Sequence, residues 1–181
     1  GPKGKELGAA VRDLGAVTST LAPQSGDLSG LLADTRQTLG AMTHLLDKAE
    51  AWSAADGPGE ADVVAARLVP DMLPFAYQVK STAVHSLGAI EGVRRGQFSP
   101  DTTEPPSSYA ALKAQVKATD DALAALDPAE IDSFLGREMC FVMGDIRMEF
   151  QSAEAFLMGF SLPNFFFHAT TAYDLLRMKG L

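Results

Sequence analysis

The sequence predicts an all-α protein, a four-helix bundle with one small β-hairpin before its last helix. Apolar residues recur every three to four positions in the long segments of the chain, which is the spacing that buries one side of a helix. A single stretch, residues 138–151, alternates apolar and polar residues instead, which is the period of a strand. Long helices combined with only one small hairpin favour a bundle.

Composition limits the classes of protein to consider. The chain has 181 residues, enough for one domain with a sizeable core, and its 15 Lys and Arg against 23 Asp and Glu give a formal net charge of -8. That balance disfavours a nucleic-acid-binding surface, and no apolar run of about 18 residues offers a membrane span. The single cysteine, Cys140, excludes an internal disulfide and a cysteine-based metal cluster. We therefore expect a cytoplasmic protein that binds neither nucleic acid nor membrane.

The first 27 residues are expected to form an N-terminal extension ahead of a domain spanning residues 28–181. Gly1 and Pro2 resemble the scar left when a protease removes an expression tag, and they are excluded from fold reasoning. Residues 5–21 carry apolar residues at helical spacing, but glycines interrupt them. We expect a marginal helix there.

The first long helix is predicted over residues 28–52, where one apolar stripe faces the core. The stripe consists of Leu28, Leu32, Thr35, Leu39, Met42, Leu46 and Ala49. Turn-forming residues at positions 56–59 end this helix. A short helix is predicted to follow over residues 61–68.

The second long helix is predicted to be entered or kinked at Pro70 and Pro74 and to run to about residue 93, before a loop at residues 99–106. Ser108 is expected to cap a third long helix over residues 109–125. Asp127, followed by proline and then by glutamate at the third position, predicts a further short helix that extends to about residue 135.

The alternating segment predicts a hairpin whose two-residue turn is Gly144 and Asp145. This register would pair Met143 with Ile146, Phe141 with Met148 and Met139 with Phe150, which gives one apolar face that covers the bundle. Ser152 is expected to cap the last helix, residues 153–178, interrupted only by Gly159 and Pro163. Because that helix is so rich in phenylalanine, we expect it to be buried nearly all round.

Polar residues form a stripe on each of two predicted helices. On the last helix, Ser161, Asn164, His168 and Thr171 are spaced by three, four and three residues. On the second long helix, Asp71, Phe75, Gln78, Thr82 and His85 are spaced by four, three, four and three. Leaving such groups buried without partners costs roughly 1 to 3 kcal/mol each, so the stripe on the last helix implies an internal polar network or a wet cavity.

Facing stripes would bring a carboxylate, amides, hydroxyls and imidazoles to one pocket, the inventory of an acid–base or ligand-orienting site. The spacing leaves alternatives open. The stripe on the second helix could be its solvated face, His168 could be a core histidine satisfied by a carbonyl, and Asn164 could only repair the helix at Pro163. We expect His44 to lie on the surface and Cys140 to be an inert thiol.

Three segments resemble an uncharacterised family of bacterial and fungal proteins that is usually described as a domain of unknown function. They are residues 46–51 (LDKAEA), 66–74 (ARLVPDMLP) and 162–177 (LPNFFFHATTAYDLLR), in the family's order, and the resemblance covers about residues 28–181. The family looks like a branch of the DinB and YfiT-like superfamily. This resemblance implies a four-helix bundle that often holds a divalent metal through one histidine on an early helix and two on a late helix.

Carried over by position, the late histidine pair of the superfamily falls on Asn164 and His168, and the early histidine on residues 71–78. The resemblance therefore implies that one of three histidine ligands is kept, although Asp71 and His168 could form a mixed site for nickel, zinc or manganese. Amide oxygen is a weaker ligand than imidazole. We predict no cofactor, with a divalent metal as the alternative.

The leading expectation is a small-molecule enzyme of the lyase or isomerase type that performs metal-independent acid–base chemistry in a pocket within the bundle. Isomerisation, dehydration or cyclisation would use His168 and Asp71 as general acid and base. The residues expected to bind substrate are Asn164, Gln78, Thr171, His85, Ser161 and Tyr173. The alternatives are a metal- or thiol-dependent transferase of the DinB-like type, and a non-catalytic protein that binds a ligand or assembles through a homodimer interface.

Overall fold

Most of the chain is helical, with a small three-stranded sheet. The computed structural model describes Leu28 and residues 30–181, so the predicted marginal helix over residues 5–21 lies outside the described residues. The helices are α1 (Gly30–Ala55), α2 (Glu60–Val64), α3 (Phe75–Ala83, Val84–Gly88 and Ala89–Arg95), α4 (Tyr109–Ala124), α5 (Pro128–Asp132) and α6 (Ala153–Phe156, Leu157–Ser161 and Leu162–Lys179). The strands are β1 (Gln97–Phe98), β2 (Met139–Met143) and β3 (Ile146–Phe150).

Helix α1 follows its sequence pattern closely. Every residue of the predicted apolar stripe, from Leu28 to Ala49, is buried, and His44 is exposed as expected. The helix ends at Ala55, where the Gly57 N–H donates to the carbonyl of Trp52. A Cβ at Gly57 would come within 2.6 Å of the Trp52 ring, so only glycine fits this turn.

The entry to α3 differs from the prediction. Pro74 is the N-cap residue and the helix begins at Phe75, whereas residues 65–74 form turns. The short helix α2 likewise ends at Val64 rather than at residue 68. Asp71 is therefore not on α3; it is exposed in the turn, and the polar stripe of the helix begins with Gln78.

Both long helices that carry polar stripes contain a π-helical segment that the sequence pattern did not predict. In α3 it is Val84–Gly88, and in α6 it is Leu157–Ser161. The backbone stays right-handed helical on both sides, so each helix continues through its segment. A π-helical turn adds one residue to the helical repeat, and such turns are frequent at functional sites.

The hairpin has the predicted register. Met143 pairs with Ile146, Phe141 with Met148 and Met139 with Phe150, and Gly144 adopts a positive φ of 57° at the turn. The sequence analysis missed β1, which pairs with β2 in parallel through Gln97 with Cys140 and Phe98 with Phe141.

The sheet and the long helices share one hydrophobic core. Helix α1 packs against α4, and α3 packs against α6 and α4. Gly92 lets α3 approach β1, since a Cβ at this position would lie 3.1 Å from the Cβ of Phe98. The capping predictions are confirmed, because the side chains of Ser108, Asp127 and Ser152 accept from backbone N–H groups of α4, α5 and α6. Helix α5 stops at Asp132, before the predicted residue 135.

Helix α6 is not buried nearly all round, contrary to the prediction. Phe165 is fully buried, whereas Phe166, Phe167 and Tyr173 are 42%, 53% and 50% exposed. The reason is geometric, because only one side of α6 packs on α3 and the core. No helix among the described residues is long and apolar enough to cross a membrane.

Candidate functional site

The two polar stripes face each other across the packed helices α3 and α6. Nδ1 of His168 on α6 lies 2.7 Å from Oε1 of Gln78 on α3. Nδ1 of His85 on α3 lies 3.3 Å from Oγ of Ser161 on α6. Each helix thus contributes one imidazole and one partner, and the two helices run antiparallel at this point. We call Gln78, His85, Ser161 and His168 the imidazole cluster.

The orientation of the Gln78 amide fixes the tautomer of His168. Nε2 of Gln78 donates to the backbone carbonyl of Leu73 at 2.9 Å, so its Oε1 faces His168. If the amide were reversed, Oε1 of Gln78 would lie against the carbonyl oxygen of Leu73, and two acceptors would face each other. An amide oxygen can only accept, so Nδ1 of His168 carries the proton. Nε2 of that ring therefore holds a free lone pair.

The same reasoning applies to His85. Ser161 donates its hydroxyl hydrogen to the backbone carbonyl of His85 at 3.0 Å, so its oxygen is left to accept from Nδ1 of the same residue. Nε2 of His85 is then also unprotonated. The side chains of His85 and His168 are both partly exposed rather than fully buried.

The π-helical segments provide this contact between the helices. His85 belongs to the π segment of α3 and Ser161 ends that of α6. Their two hydrogen bonds join one segment to the other. The irregular turns therefore lie within the imidazole cluster, where the backbone of each helix departs from the α-helical repeat.

Both histidines are neutral at neutral pH. Burial lowers the pKa of His168 to about 4. Burial, together with repulsion by the charged form of His168, lowers the pKa of His85 to about 3. The two rings stack with their centroids 5.6 Å apart and their planes 20° apart, a contact that two imidazolium ions would oppose.

Aromatic rings surround the two imidazoles. Tyr77 and Phe167 approach the His168 ring edge to face, with centroids at 6.0 Å and 5.2 Å. Phe98 and Phe160 lie 5.3 Å and 5.9 Å from His85. Sequence reasoning did not single out Tyr77 or Phe98, although Tyr77 directly precedes Gln78. A helical wheel does not reveal ring contacts between separate elements.

Several predicted site residues are placed elsewhere. Asp71 is in the exposed turn before α3, away from the predicted stripe, because Pro74 starts the helix after it. Nδ2 of Asn164 donates to the carbonyl of Phe160 at 2.7 Å, so the amide serves its own helix beside Pro163. Thr171 is buried on α6, one turn beyond His168, and Tyr173 is on the exposed side of that helix.

A cavity of about 10 Å³ lies beside His85 and Ser161, between α1, α3 and α6. Thr35 and Ser86 add hydroxyl groups to its largely apolar lining. This volume has room for about one water molecule. His168 does not line this cavity, and its side chain is partly exposed to solvent.

The residues that the resemblance assigns to a metal do not fit a three-ligand site. Asn164 is turned to its own helix, Asp71 is in the turn, and the remaining donors are two neutral imidazoles. Within residues 30–181 no group of three or more His, Cys, Asp or Glu side chains is arranged to hold a metal ion. The donor set lacks the third nitrogen or carboxylate ligand that zinc and similar ions require.

Comparisons with known proteins agree on a family and a fold. A family model described as a domain of unknown function, DUF1993, matches residues 31–181. The crystal structure of a DinB family member protein from Shewanella denitrificans superposes with a TM-score of 0.65 and 18% sequence identity, over 92% of this chain and 89% of that chain. None of the curated proteins matches the chain. At this identity the structural likeness concerns the fold alone.

Proposed function

The chain belongs to the DUF1993 family, and we propose that it is a small-molecule enzyme in which His168 acts as a metal-independent general base. The observation that carries the proposal is the chain of hydrogen bonds from the Leu73 carbonyl through Gln78 to Nδ1 of His168. An orienting partner on one ring nitrogen leaves the other nitrogen free to take a proton, as catalytic histidines require.

The chemistry follows from the protonation state. With its pKa lowered to about 4, His168 is unprotonated throughout the neutral range, so Nε2 is always available as an acceptor. The same shift makes the ring a weak base and its protonated form a strong acid, so it suits a substrate proton that is already loosely held and returns that proton readily. A base that takes a proton from one atom and returns it to another suits isomerisation, dehydration or cyclisation. Gln78 acts as the positioning residue, and His85 stacks behind the reacting ring.

We place the substrate on the solvent-facing side of His168 rather than in the bundle interior. Tyr77 and Phe167 flank the imidazole there, and Phe167 is half exposed. The side chain of Leu73, also about half exposed, belongs to the residue whose carbonyl orients Gln78. These residues would supply an apolar surface beside one hydrogen-bond acceptor, the usual composition of a ligand site.

The first test is the metal content of the purified, tag-free protein. We expect clearly substoichiometric nickel, zinc and manganese in the wild type and no change in His168→Ala. Near-stoichiometric metal that is lost in His168→Ala would overturn the proposal in favour of a metal-dependent transferase. His44→Ala is the matched control, because it removes the exposed histidine outside the cluster.

The second test is a ligand screen by thermal shift with three variants. His168→Asn retains an amide near the position of Nδ1 that can still donate to Gln78, but it offers no counterpart of Nε2. A substrate should raise the melting temperature of the wild type and of His44→Ala, and fail to do so for His168→Asn. Ligands that stabilise His168→Asn as strongly as the wild type would show that Nε2 has no part in binding.

A second candidate is an assembly protein, favoured by the exposed aromatic residues of α6. Phe166, Phe167 and Tyr173 are about half exposed, and Val69 and Leu73 add apolar surface in the turn before α3. Exposed apolar clusters of this kind often mark protein interfaces. Sedimentation over a dilution series tests this reading, since a homodimer would dissociate and Phe167→Ser would weaken it.

We further assign the long helices to the four-helix bundle of DinB-like proteins. The packing of α1 on α4 and of α3 on both α4 and α6 supports this arrangement, as does the superposition on the Shewanella denitrificans protein. An experimental structure would contradict it if one of these four helices left the shared core.

A further inference from the structure

We propose that the free edge of strand β3 pairs with the same edge of a second copy of this chain. The strand, Ile146–Phe150, is the outer strand of a three-stranded sheet in the order β1, β2, β3. Two antiparallel copies of β3 would join the sheets of two chains into one continuous sheet. This inference concerns an interaction surface and does not depend on the proposed role of His168.

The backbone of β3 has hydrogen-bonding groups available at this edge. Ile146 directly follows the two-residue turn of the hairpin, and the residues that flank such a turn bond to each other. Bonded and non-bonded pairs alternate along an antiparallel ladder, so Met148 and Phe150 also direct their N–H and C=O groups to β2. Arg147 and Glu149 therefore direct theirs to the free edge. No other segment of the described chain bonds to these backbone groups.

The charged side chains of β3 select one register for such a pair. An antiparallel pair centred on Met148 places Arg147 directly opposite Glu149 of the second copy, and the symmetry repeats this contact. These are the two residues whose backbone groups face the edge, so the ladder bonds form where opposite charges meet. Charged residues usually protect a sheet edge from pairing. An arginine and a glutamate two positions apart are instead self-complementary in this arrangement.

Both charged side chains are accessible to a second copy. Arg147 and Glu149 are 58% and 64% exposed, and Nε of the arginine lies 2.6 Å from Oε1 of the glutamate within the same strand. Pairing would therefore extend an existing ion pair into a group of four alternating charges, without burying an unpaired charge. Such complementarity contributes more to the choice of register than to affinity.

The other face of β3 would gain apolar contacts from the same register. Met148 and Phe150 are only partly buried against the core, and Ile146 is 48% exposed. In the pair centred on Met148, Ile146 lies opposite Phe150 of the second copy, and Met148 lies opposite its own counterpart. The pairing would thus cover apolar surface that the bundle leaves partly exposed.

The size of the edge sets the expected affinity. A strand of five residues offers less surface than stable protein interfaces bury, so we expect a weak dimer that dissociates on dilution. The first measurement is sedimentation of the full chain over a dilution series at low salt. Added salt should weaken the dimer, because its charged contacts lie in solvent.

Charge reversal at the two positions tests the register. Arg147→Glu would place glutamates opposite each other, and Glu149→Arg would place arginines opposite each other, so each variant alone should dimerise about tenfold or more weakly than the wild type. An equimolar mixture of the two variants should dimerise again, because the glutamates of one chain then face the arginines of the other. Recovery in the mixture would also show that both variants fold.

Lys117→Glu is the matched control. It reverses an exposed cation on α4 that likewise pairs with an acid on its own element, and it should leave the dimer unchanged. Hydrogen exchange gives a second readout at single residues. The amides of Arg147 and Glu149 should exchange more slowly as the protein concentration rises, whereas the amide of Met148 already bonds to β2 and should not change.

Three outcomes would overturn the inference. The first is a chain that stays monomeric at every concentration. The second is a dimer that Phe167→Ser abolishes and Arg147→Glu does not, because the contact would then lie on α6. The third is a mixture of Arg147→Glu and Glu149→Arg that stays monomeric while the wild type dimerises, because the assigned register would then be wrong.

Discussion

Replacing Gln78 with Glu would place a carboxylate where an amide oxygen now accepts from Nδ1 of His168 at 2.7 Å. The substitution changes the side chain by one group and retains an acceptor at the same position. It also removes the donor that now reaches the carbonyl of Leu73. The main consequence is electrostatic, because a negative charge beside the ring stabilises imidazolium.

The magnitude follows from the distance. Taking about 4 Å between the centres of charge and an effective dielectric constant of about 20, the attraction is about 4 kcal/mol, which corresponds to a pKa change of about 3. The pKa of His168 is now about 4, so it should rise into the neutral range. Burial of the new carboxylate opposes its ionisation, and the pair would titrate together. A rise of between one and three pH units is therefore the expected range.

The assay is a pH titration of the His168 Cε1–H signal by NMR, from pH 3 to pH 9, for the wild type and for Gln78→Glu. Gln37→Glu is the control, since it adds the same charge at an exposed position of α1 and should leave His168 unchanged. If the titration midpoint of His168 moves by less than half a pH unit in Gln78→Glu, the hydrogen bond between these residues is not what fixes the ring. The assigned tautomer would then be refuted with it.

Two glycines should respond to alanine in opposite directions. Gly92→Ala should lower the free energy of unfolding by about 1–3 kcal/mol in urea, because its Cβ would press on the Cβ of Phe98 at 3.1 Å. Gly40→Ala should raise it by about 0.5–1 kcal/mol, since no described atom beyond its own helix backbone and chain neighbours lies within 4 Å of its Cβ. If both alanine variants changed the free energy of unfolding by the same amount, the close contact of Gly92 with Phe98 would not be what distinguishes the two positions. Asp101→Asn should cost about 1–2 kcal/mol, because the partly exposed carboxylate pairs with buried Lys80 at 2.9 Å. Desolvation raises the pKa of Asp101, but hydrogen bonds from Thr103 and Lys80 lower it by more, so its pKa lies below the usual value. The stability that this pair gives the wild type should therefore be lost as the pH falls below the ordinary carboxyl range. Asp101→Asn should abolish that loss.

The sequence alone was enough to predict the elements whose signals are local. The buried stripe of α1, the caps at Ser108, Asp127 and Ser152, and the register of the hairpin around Gly144 all follow from residues within a few positions of one another. Helical and strand periods and capping hydrogen bonds are properties of the neighbouring chain, so they can be read without knowledge of the fold.

The candidate site was predicted only in part. The helical spacing correctly selected Gln78, His85, Ser161 and His168 as polar groups of two buried faces. It wrongly continued one of those faces to Asp71, because a spacing of four residues fits a helix whether or not Pro74 starts it. Residue spacing shows which residues share a face only within a continuous helix, and Pro74 determines where this helix begins.

What only the tertiary structure decided depends on contacts between distant segments. The strand β1 exists because Phe98 meets Phe141, more than forty residues away, and the π-helical segments of α3 and α6 lie where His85 and Ser161 join the two helices. The exposure of Phe167 likewise depends on how much of α6 packs on α3. Such features are set by packing and by hydrogen bonds across the core. No local sequence period encodes these contacts. The histidine tautomers and the partial exposure of His168 could therefore be assigned only from the packed helices.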